Sequence, residues 1–168
     1  MFLCNRLVGH LPSHGGRRWL YRRIYGFKIG RCSSLLMGVR FTGKGRFSMG
    51  ENSVINADCL IDNRSPVAIG KSVSISFGSA LITADHDPQS EDFETRSGEI
   101  IIEDYVFIGA RAMILPGVRL GRACVVAAGS VVTKNVAPAT IVAGIPARPI
   151  GRRSVEPRYR LSHEPWFQ

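Results

Sequence analysis

The sequence predicts an all-β chain that coils into a stack of triangular turns, and three observations support this fold class. From residue 102, an aliphatic side chain recurs at every sixth position through residue 132. The chain has 18 glycines and only 8% aromatic residues, so we expect many turns and an aliphatic core. Its 168 residues, 45% of them hydrophobic, are enough for one domain with a core of its own.

The six-residue period divides each turn of the stack into three segments. The first position of each segment is aliphatic, at Ile102, Ile108, Ile114, Leu120, Val126 and Val132. The fifth position is small or β-branched, at Val106, Ala112, Val118, Cys124, Ser130 and Val136. Neither an α-helix nor a simple alternating strand has this period, whereas short extended segments joined by bends do. Three such segments make one coil, with the aliphatic side chains turned inward.

The same period returns upstream over 69–86, over 49–66 and, more weakly, over 29–46. It therefore predicts about five coils in a domain spanning 29–137, stacked as parallel strands about 4.8 Å apart. Gly, Asn and Asp are expected at the corners, where φ can be positive. Residues 87–101 interrupt the period and are predicted to form a loop.

The two flanking segments are expected to cap the ends of the stack, because uncovered coil edges pair with other chains. Residues 1–28 form a basic N-terminal arm in which Trp19, Leu20, Ile24 and Phe27 follow a near-helical spacing. This spacing predicts a short amphipathic helix leaning on the first coil. Residues 138–168 form the C-terminal tail.

The positive charge is concentrated at one end of the chain. Residues 1–50 hold ten of the 22 Lys and Arg residues and none of the 13 acidic residues. This arm indicates either an anionic partner, with peripheral membrane contact as one choice, or a solvated capping segment. Nucleic acid is not expected as a partner, because no binding motif or series of stacking aromatic residues accompanies the charge.

Further features of the sequence bear on the compartment. No apolar run approaches the roughly 18 residues of a membrane-spanning helix. The opening residues do not read as a signal peptide, and the four cysteines are scattered. Together these features predict a cytoplasmic protein with reduced thiols.

Two stretches resemble a known family closely. They are AGSVVTKNVAPATIVAGIPARPIG at 128–151 and TADHDP at 83–88. Together with the repeat, they resemble the hexapeptide-repeat acyltransferases, in particular the sugar and xenobiotic O-acetyltransferase branch. The resemblance implies a left-handed parallel β-helix, a homotrimer, and acetyl-CoA as co-substrate. It also implies acetyl transfer to a hydroxyl of a sugar or polysaccharide precursor. N-acetylation of an amino sugar or antibiotic and a non-catalytic scaffold trimer remain as alternatives.

His86 is the only one of the four histidines inside the repeat, and it stands where the period stops. His10, His14 and His163 lie in the terminal segments. A neutral imidazole suits a general base near neutral pH. The resemblance implies that His86 takes the proton from the acceptor in a ternary complex, without an acyl-enzyme. One histidine cannot build a three-histidine metal site, so no metal is expected.

The other candidate site residues are expected to orient His86, to anchor the loop or to bind the donor. Asp85 or Asp87 is expected to orient the His86 ring or contact the substrate, although a backbone carbonyl would orient the ring equally well. Phe93 is expected to anchor the loop on a neighbouring subunit. The resemblance places coenzyme A in a groove between subunits, and the donor-binding candidates it implies are Ala110, Ala128, Thr133, Lys134 and Arg148. Arg152 and Arg153 are further candidates for its phosphates.

Overall fold

The computed structural model describes residues 1–161, except for the side chains of residues 3 and 4. His163 and the last part of the predicted C-terminal tail lie outside this range. The chain begins with helix α1 (Phe2–Arg6), a short 3₁₀ helix (Val8–His10) and helix α2 (His14–Arg23). Ser13 caps α2, because its side-chain oxygen accepts a hydrogen bond of 3.2 Å from the Gly16 amide.

The strands follow in coils of three. Coil 1 contains β1 (Lys28–Ile29), β2 (Ser34–Leu35) and β3 (Arg40–Phe41). Coil 2 contains β4 (Phe47–Met49), β5 (Val54–Ile55) and β6 (Leu60–Ile61), and coil 3 contains β7 (Val67–Ile69), β8 (Ser74–Ile75) and β9 (Ala80–Leu81). A hairpin of β10 (Ala84–His86) and β11 (Thr95–Ser97) follows. Coil 4 contains β12 (Ile100–Ile102), β13 (Phe107–Ile108) and β14 (Met113–Ile114), and coil 5 contains β15 (Arg119–Leu120), β16 (Val125–Val126) and β17 (Val131–Val132). The last strands are β18 (Thr140–Gly144) and β19 (Ala147–Arg152).

These strands form three parallel sheets, one on each face of a triangular prism. Face A has the order β1-β4-β7-β12-β15, and face C has the order β17-β14-β9-β6-β3. Face B runs from β2 through β5, β8, β13 and β16 to β18, with β19 added antiparallel. We name the edges AB, BC and CA after the faces they join. This architecture matches the left-handed parallel β-helix that the resemblance implies.

The predicted inward positions form the core. In each of the five complete coils, three residues that end successive strands point inward, and none of the fifteen is more than 6% exposed. They are Ile29, Leu35, Phe41, Met49, Ile55, Ile61, Ile69, Ile75, Leu81, Ile102, Ile108, Ile114, Leu120, Val126 and Val132. The six predicted fifth-position residues are buried as well. The period therefore assigned the core correctly, because a side chain at the same place in each coil stacks on its counterpart.

The N-terminal end differs from the aliphatic core that the composition predicts. Tyr21, Phe27, Phe41 and Phe47 pack as rings, and the Phe27 and Phe41 centroids lie 4.6 Å apart. Large rings fill this space because the first coil must close against a helix rather than against another coil. The cluster seals the open end of the prism.

The predicted helix is present, and two of the four predicted apolar residues, Leu20 and Phe27, pack in or against the core, but the other two do not. Tyr21 and Arg17 are buried, whereas Trp19 is 59% exposed and Ile24 is 54% exposed. The Arg17 guanidinium donates hydrogen bonds to the carbonyl oxygens of Leu11 and Leu35, which tie α2 to coil 1. Desolvation lowers the pKa of Arg17 from its usual value. The near-helical spacing of Trp19 and Ile24 thus marked an exposed surface of the arm.

The solenoid continues beyond residue 137. Strand β18 pairs parallel with β16 and begins a sixth coil, and β19 folds back on it. The tail that follows runs along the AB edge. There Tyr159 packs edge-on against Tyr105 with ring centroids 5.6 Å apart, and Glu156 pairs with Arg122 at 3.1 Å. The tail therefore covers a side of the prism as well as its end.

The corners use more residue types than Gly, Asn and Asp. Left-handed backbone recurs at one residue per coil along the AB edge, at Cys32, Asn52, Ser72, Tyr105, Ala123 and Ala139. It recurs along the BC edge at Gly38, Asp58, Gly78, Arg111, Gly129 and Gly144. A left-handed residue costs about 1–2 kcal/mol when it is not glycine, and the stacked coils on either side hold it in place. No helix in the described part of the chain is long and apolar enough to cross a membrane.

Candidate active site

A hairpin interrupts the CA edge at coil 3. Strands β10 and β11 pair antiparallel, with Ala84 opposite Ser97 and His86 opposite Thr95. The Gly98 amide donates a hydrogen bond of 2.9 Å to the Thr83 carbonyl, which closes the stem of the hairpin. Strand β12 then rejoins face A directly below β7. The hairpin therefore projects from the prism without disturbing the register of the coils.

The His86 side chain is fixed by Phe93 from the far side of the hairpin. Its Nδ1 lies 2.9 Å from the Phe93 carbonyl oxygen, and the two rings stack with centroids 4.5 Å apart and an interplanar angle of 6°. A carbonyl oxygen only accepts, so Nδ1 carries the proton and Nε2 of the neutral ring has a free lone pair. Residues 1–161 provide no hydrogen-bond partner for Nε2. The exposed ring is thus oriented as a proton acceptor.

Phe93 itself occupies left-handed backbone with φ of 50°. Its amide donates to the Ser90 carbonyl at 3.1 Å, and the Asp87 amide donates to the Glu94 carbonyl at 2.8 Å. These bonds hold the loop in the turn that brings the Phe93 carbonyl to the imidazole. Within one chain Phe93 packs on His86, and the ring remains 59% exposed. Its predicted contact with a neighbouring subunit stays a prediction.

The two aspartates beside His86 bind Arg96. Asp85 accepts two hydrogen bonds of 3.0 Å from the Arg96 guanidinium, and Asp87 lies 3.7 Å from it. The hydrogen bond from Arg96 lowers the pKa of Asp85. The aspartates therefore brace the hairpin, and the ring-orienting role falls to the backbone carbonyl, the other choice that the sequence left open.

A buried network supports the stem of the hairpin from coil 2. Asp62 is 2% exposed and accepts hydrogen bonds from Thr42 at 2.6 Å and from the Arg64 guanidinium at 2.9 Å. Burial acts to raise the pKa of Asp62, but hydrogen bonds from Arg64, Thr42 and Thr83 outweigh it and lower the pKa far below its usual range. Arg64 also donates to the Ala84 carbonyl at 3.3 Å, at the start of β10. This network has no distinctive signal in the sequence, because an Asp at a corner is ordinary in such a repeat.

The donor-binding candidates do not all lie beside His86 in one chain. Ala110 and Ala128 follow β13 and β16 on the BC edge, where the Gly129 amide donates to the Ala110 carbonyl at 2.9 Å. A Cβ on Gly109 would lie 2.5 Å from the Ala128 amide nitrogen, so this corner admits only glycine without a shift. His86 is on the CA edge, and face C separates the two edges. A single chain therefore divides the predicted site between two edges.

Basic candidates meet at the C-terminal end of the prism. A mainly apolar pocket of about 730 Å³ is lined by Lys134, Arg148 and Arg152, together with Val132, Val142 and Ala147. Thr133 precedes Lys134 on the CA edge, two coils below the hairpin. Arg153 points elsewhere, because its guanidinium donates to the Tyr105 carbonyl at 3.2 Å. The pocket thus combines apolar surface with three cations, a combination that suits an organic phosphate.

Comparisons with known proteins bear on the fold and the family of the chain. A family model for the hexapeptide repeat of succinyl-transferase matches residues 99–134. A hexapeptide-repeat acetyltransferase from Vibrio cholerae is 30% identical, with a TM-score of 0.82 over 89% of this chain and 86% of that chain. Its structure in complex with acetyl-CoA aligns at 29% identity and a TM-score of 0.82, over 92% of this chain and 83% of that one.

Two further relatives differ in the group they acetylate. The maltose O-acetyltransferase of Clostridium difficile is 25% identical, with a TM-score of 0.71 over 90% of this chain and 83% of that chain. The 2,3,4,5-tetrahydropyridine-2,6-dicarboxylate N-acetyltransferase of Staphylococcus aureus is 42% identical over 85 residues, or 51% of this chain. This chain spans only 33% of the length of that second enzyme. From the Vibrio cholerae alignment and the repeat, we conclude that the chain belongs to the hexapeptide-repeat family of acetyl-CoA-dependent acetyltransferases.

Proposed function

We propose that the protein transfers the acetyl group of acetyl-CoA to a hydroxyl of a sugar or glycan precursor, with His86 as general base. The observation that supports this proposal best is the 2.9 Å contact between His86 Nδ1 and the Phe93 carbonyl. It selects the tautomer whose Nε2 accepts a proton. The likeness to a maltose O-acetyltransferase supports a sugar hydroxyl as the acceptor.

The proposed reaction is a direct transfer within a ternary complex. The acceptor oxygen attacks the thioester carbon while its proton moves to Nε2 of His86. The carbon–sulfur bond breaks, and coenzyme A leaves as a thiol after the imidazolium returns the proton. Holding acceptor and thioester together supplies much of the rate, and the base adds about 10²–10⁴-fold.

A homotrimer would bring the divided site together. Three parallel prisms around a threefold axis would set the BC edge of one copy against the CA edge of the next. His86 of one copy would then face the backbone of Ala110 and Ala128 of its neighbour across a groove. Lys134 and Arg148 would meet the donor phosphates at the end of that groove.

N-acetylation of an amino sugar is a second candidate. The 42% identity to an N-acetyltransferase over 85 residues favours it. His86 would serve an amine in the same way, because an attacking amine also loses a proton. The two candidates differ only in the acceptor atom, so substrates that exchange a hydroxyl for an amino group at one position separate them.

The decisive experiment measures release of the coenzyme A thiol from acetyl-CoA with pairs of sugars and amino sugars. In the wild-type protein we expect turnover with hydroxyl acceptors, and we expect His86→Asn to reduce kcat by about 10²–10⁴-fold. His10→Asn is the matched control, because His10 is also exposed and its Nδ1 also contacts a backbone carbonyl, that of Asn5 at 3.1 Å. Equal turnover by the His86 and His10 variants would refute the role of His86 as general base. Transfer to amines alone would replace the hydroxyl proposal.

The donor groove is tested separately from the base. Lys134→Ala should raise KM for acetyl-CoA by about tenfold with little change in kcat, because it removes a charge-assisted hydrogen bond to phosphate. Lys71→Ala, on the AB edge, is the control. Sedimentation equilibrium gives the assembly state, and a monomer mass at working concentration would contradict the shared groove.

A further inference from the structure

The N-terminal end of the prism has an exposed surface that acetyl transfer does not use. We define this end surface by Phe2, Leu7, Trp19, Arg23 and Ile24. Its apolar members are strongly exposed: Phe2 74%, Leu7 64%, Trp19 59% and Ile24 54%. These side chains lie outside the aromatic cluster that seals the prism, so the fold does not require them to be apolar.

The geometry of α2 explains why Trp19 faces outward. The helix buries Arg17 and Tyr21, which are four residues apart and therefore lie on one side. At 3.6 residues per turn, Trp19 falls on the opposite side, with Arg22 and Arg23 on either flank. The Arg22 guanidinium turns back to donate to the Ile29 and Gly30 carbonyls, whereas Arg23 is exposed. An exposed indole with an exposed arginine beside it suits the boundary between lipid headgroups and acyl chains.

The positive charge of this end favours a negatively charged partner. Residues 1–50 hold ten bases and no acid, and the Arg31 guanidinium pairs with Glu51, just beyond this segment, at 3.2 Å. Arg6 on α1, Arg23 on α2 and Lys28 on β1 of the first coil are exposed. The remaining chain is nearly neutral, with twelve bases and 13 acids after residue 50. The attraction to anions is therefore directional and strongest at this end.

We propose that the end surface binds an anionic lipid bilayer, with Trp19 in the headgroup region and the basic side chains on lipid phosphates. Nucleic acid binding uses cations but does not need exposed aliphatic side chains. The apolar part of the surface therefore favours a bilayer over nucleic acid. If the chain forms the trimer of the proposed function, three end surfaces lie at the same end and bind together. Their linkage would strengthen binding well beyond that of one copy.

The test is cosedimentation of the full chain with phosphatidylcholine vesicles, with and without phosphatidylglycerol. We expect binding only when phosphatidylglycerol is present, and we expect it to weaken as salt rises. Arg23→Glu should reduce partitioning by about tenfold, and Trp19→Ala by a similar factor. Arg158→Glu is the matched control, because it makes the same charge change at an exposed position on the C-terminal tail.

Several results would overturn the proposal. They are absence of binding to phosphatidylglycerol vesicles, an equal loss of binding in Arg158→Glu, or unchanged binding in Trp19→Ala. Tighter binding to a single-stranded oligonucleotide than to vesicles would assign the surface to nucleic acid instead. Acetyl transfer to a soluble acceptor and the sedimentation mass are measured on the same variants. Both should match the wild type, so failure of membrane binding is distinguished from failure of the proposed function.

Discussion

Coil 3 turns at the AB and BC edges within four residues and then extrudes a hairpin at its CA edge before coil 4 begins. At the first two edges, left-handed residues stack on their counterparts in neighbouring coils, and the inward side chains are aliphatic. The hairpin has no such counterparts, and polar contacts hold it: Arg64 to Ala84, Arg96 to Asp85, and His86 to Phe93. The stacked coils therefore supply the stability of the molecule, whereas the hairpin that interrupts them supplies an exposed and oriented imidazole.

Shortening one aliphatic side chain in the repetitive part should have the largest effect on stability. Ile75 is fully buried between Ile55 and Ile108 on face B, so Ile75→Ala should lower the free energy of unfolding by about 2–5 kcal/mol. Urea denaturation followed by circular dichroism measures the loss. Ser74→Ala, the neighbouring outward position, should change it by less than about 0.5 kcal/mol. Similar losses in both variants would mean that the inward ladder is not the source of stability.

The Asp62 network joins the two regions, and its loss should have the next largest effect. Asp62→Asn should lower the free energy of unfolding by about 1–3 kcal/mol, because Arg64 and Thr42 lose a charged acceptor. The folded-state pKa of Asp62 is depressed. Its contribution is therefore complete above the unfolded-state pKa of about 3.9 and declines as pH falls below that value.

Urea unfolding at neutral pH and at about pH 3 tests this linkage. The difference in stability between wild type and Asp62→Asn should shrink at the lower pH. A constant difference would show that the carboxylate charge plays no part and that Asp62 acts only through its shape.

Within the hairpin, Phe93→Ala should affect catalysis more than stability. The substitution removes the ring stacked on His86 but keeps the carbonyl that bonds Nδ1. We expect kcat to fall by about two- to tenfold, because stacked rings contribute about 0.5–1.5 kcal/mol to holding the imidazole. Single-turnover kinetics isolate the chemical step. An unchanged rate would leave the backbone hydrogen bond as sufficient to orient the base.

The exposed ion pair of the hairpin should have the smallest effect. Arg96→Ala frees Asp85 and Asp87, but the side chain of Arg96 is 52% exposed and that of Asp85 38%, so solvent already screens the pair. We expect a change in kcat of less than about threefold and little change in stability. A much larger decrease in kcat with rising KM for the acceptor would instead indicate that Arg96 contacts the acceptor directly.

Much of the fold could be predicted from the sequence because each coil repeats the same environment. Ile108 and Val126 occupy equivalent places, so the period alone identifies both as core residues. His86 was identifiable because it stands where that period breaks. The Phe93 carbonyl was not identifiable in this way, because a backbone atom carries no sequence signal. The exposure of Trp19 and the burial of Arg17 were not predicted, since the burial of Arg17 depends on carbonyls that only the folded arm presents.

The C-terminal tail has a consequence for how copies of this chain could join. Tyr159, Glu156 and Arg153 occupy one flank of the prism, so that flank is shielded from a neighbour. The other two flanks carry the two parts of the proposed site. A closed ring with head-to-tail contacts consumes two unlike surfaces per member and needs no third. The tail therefore disfavours branched association, in which each member would need a third contact surface.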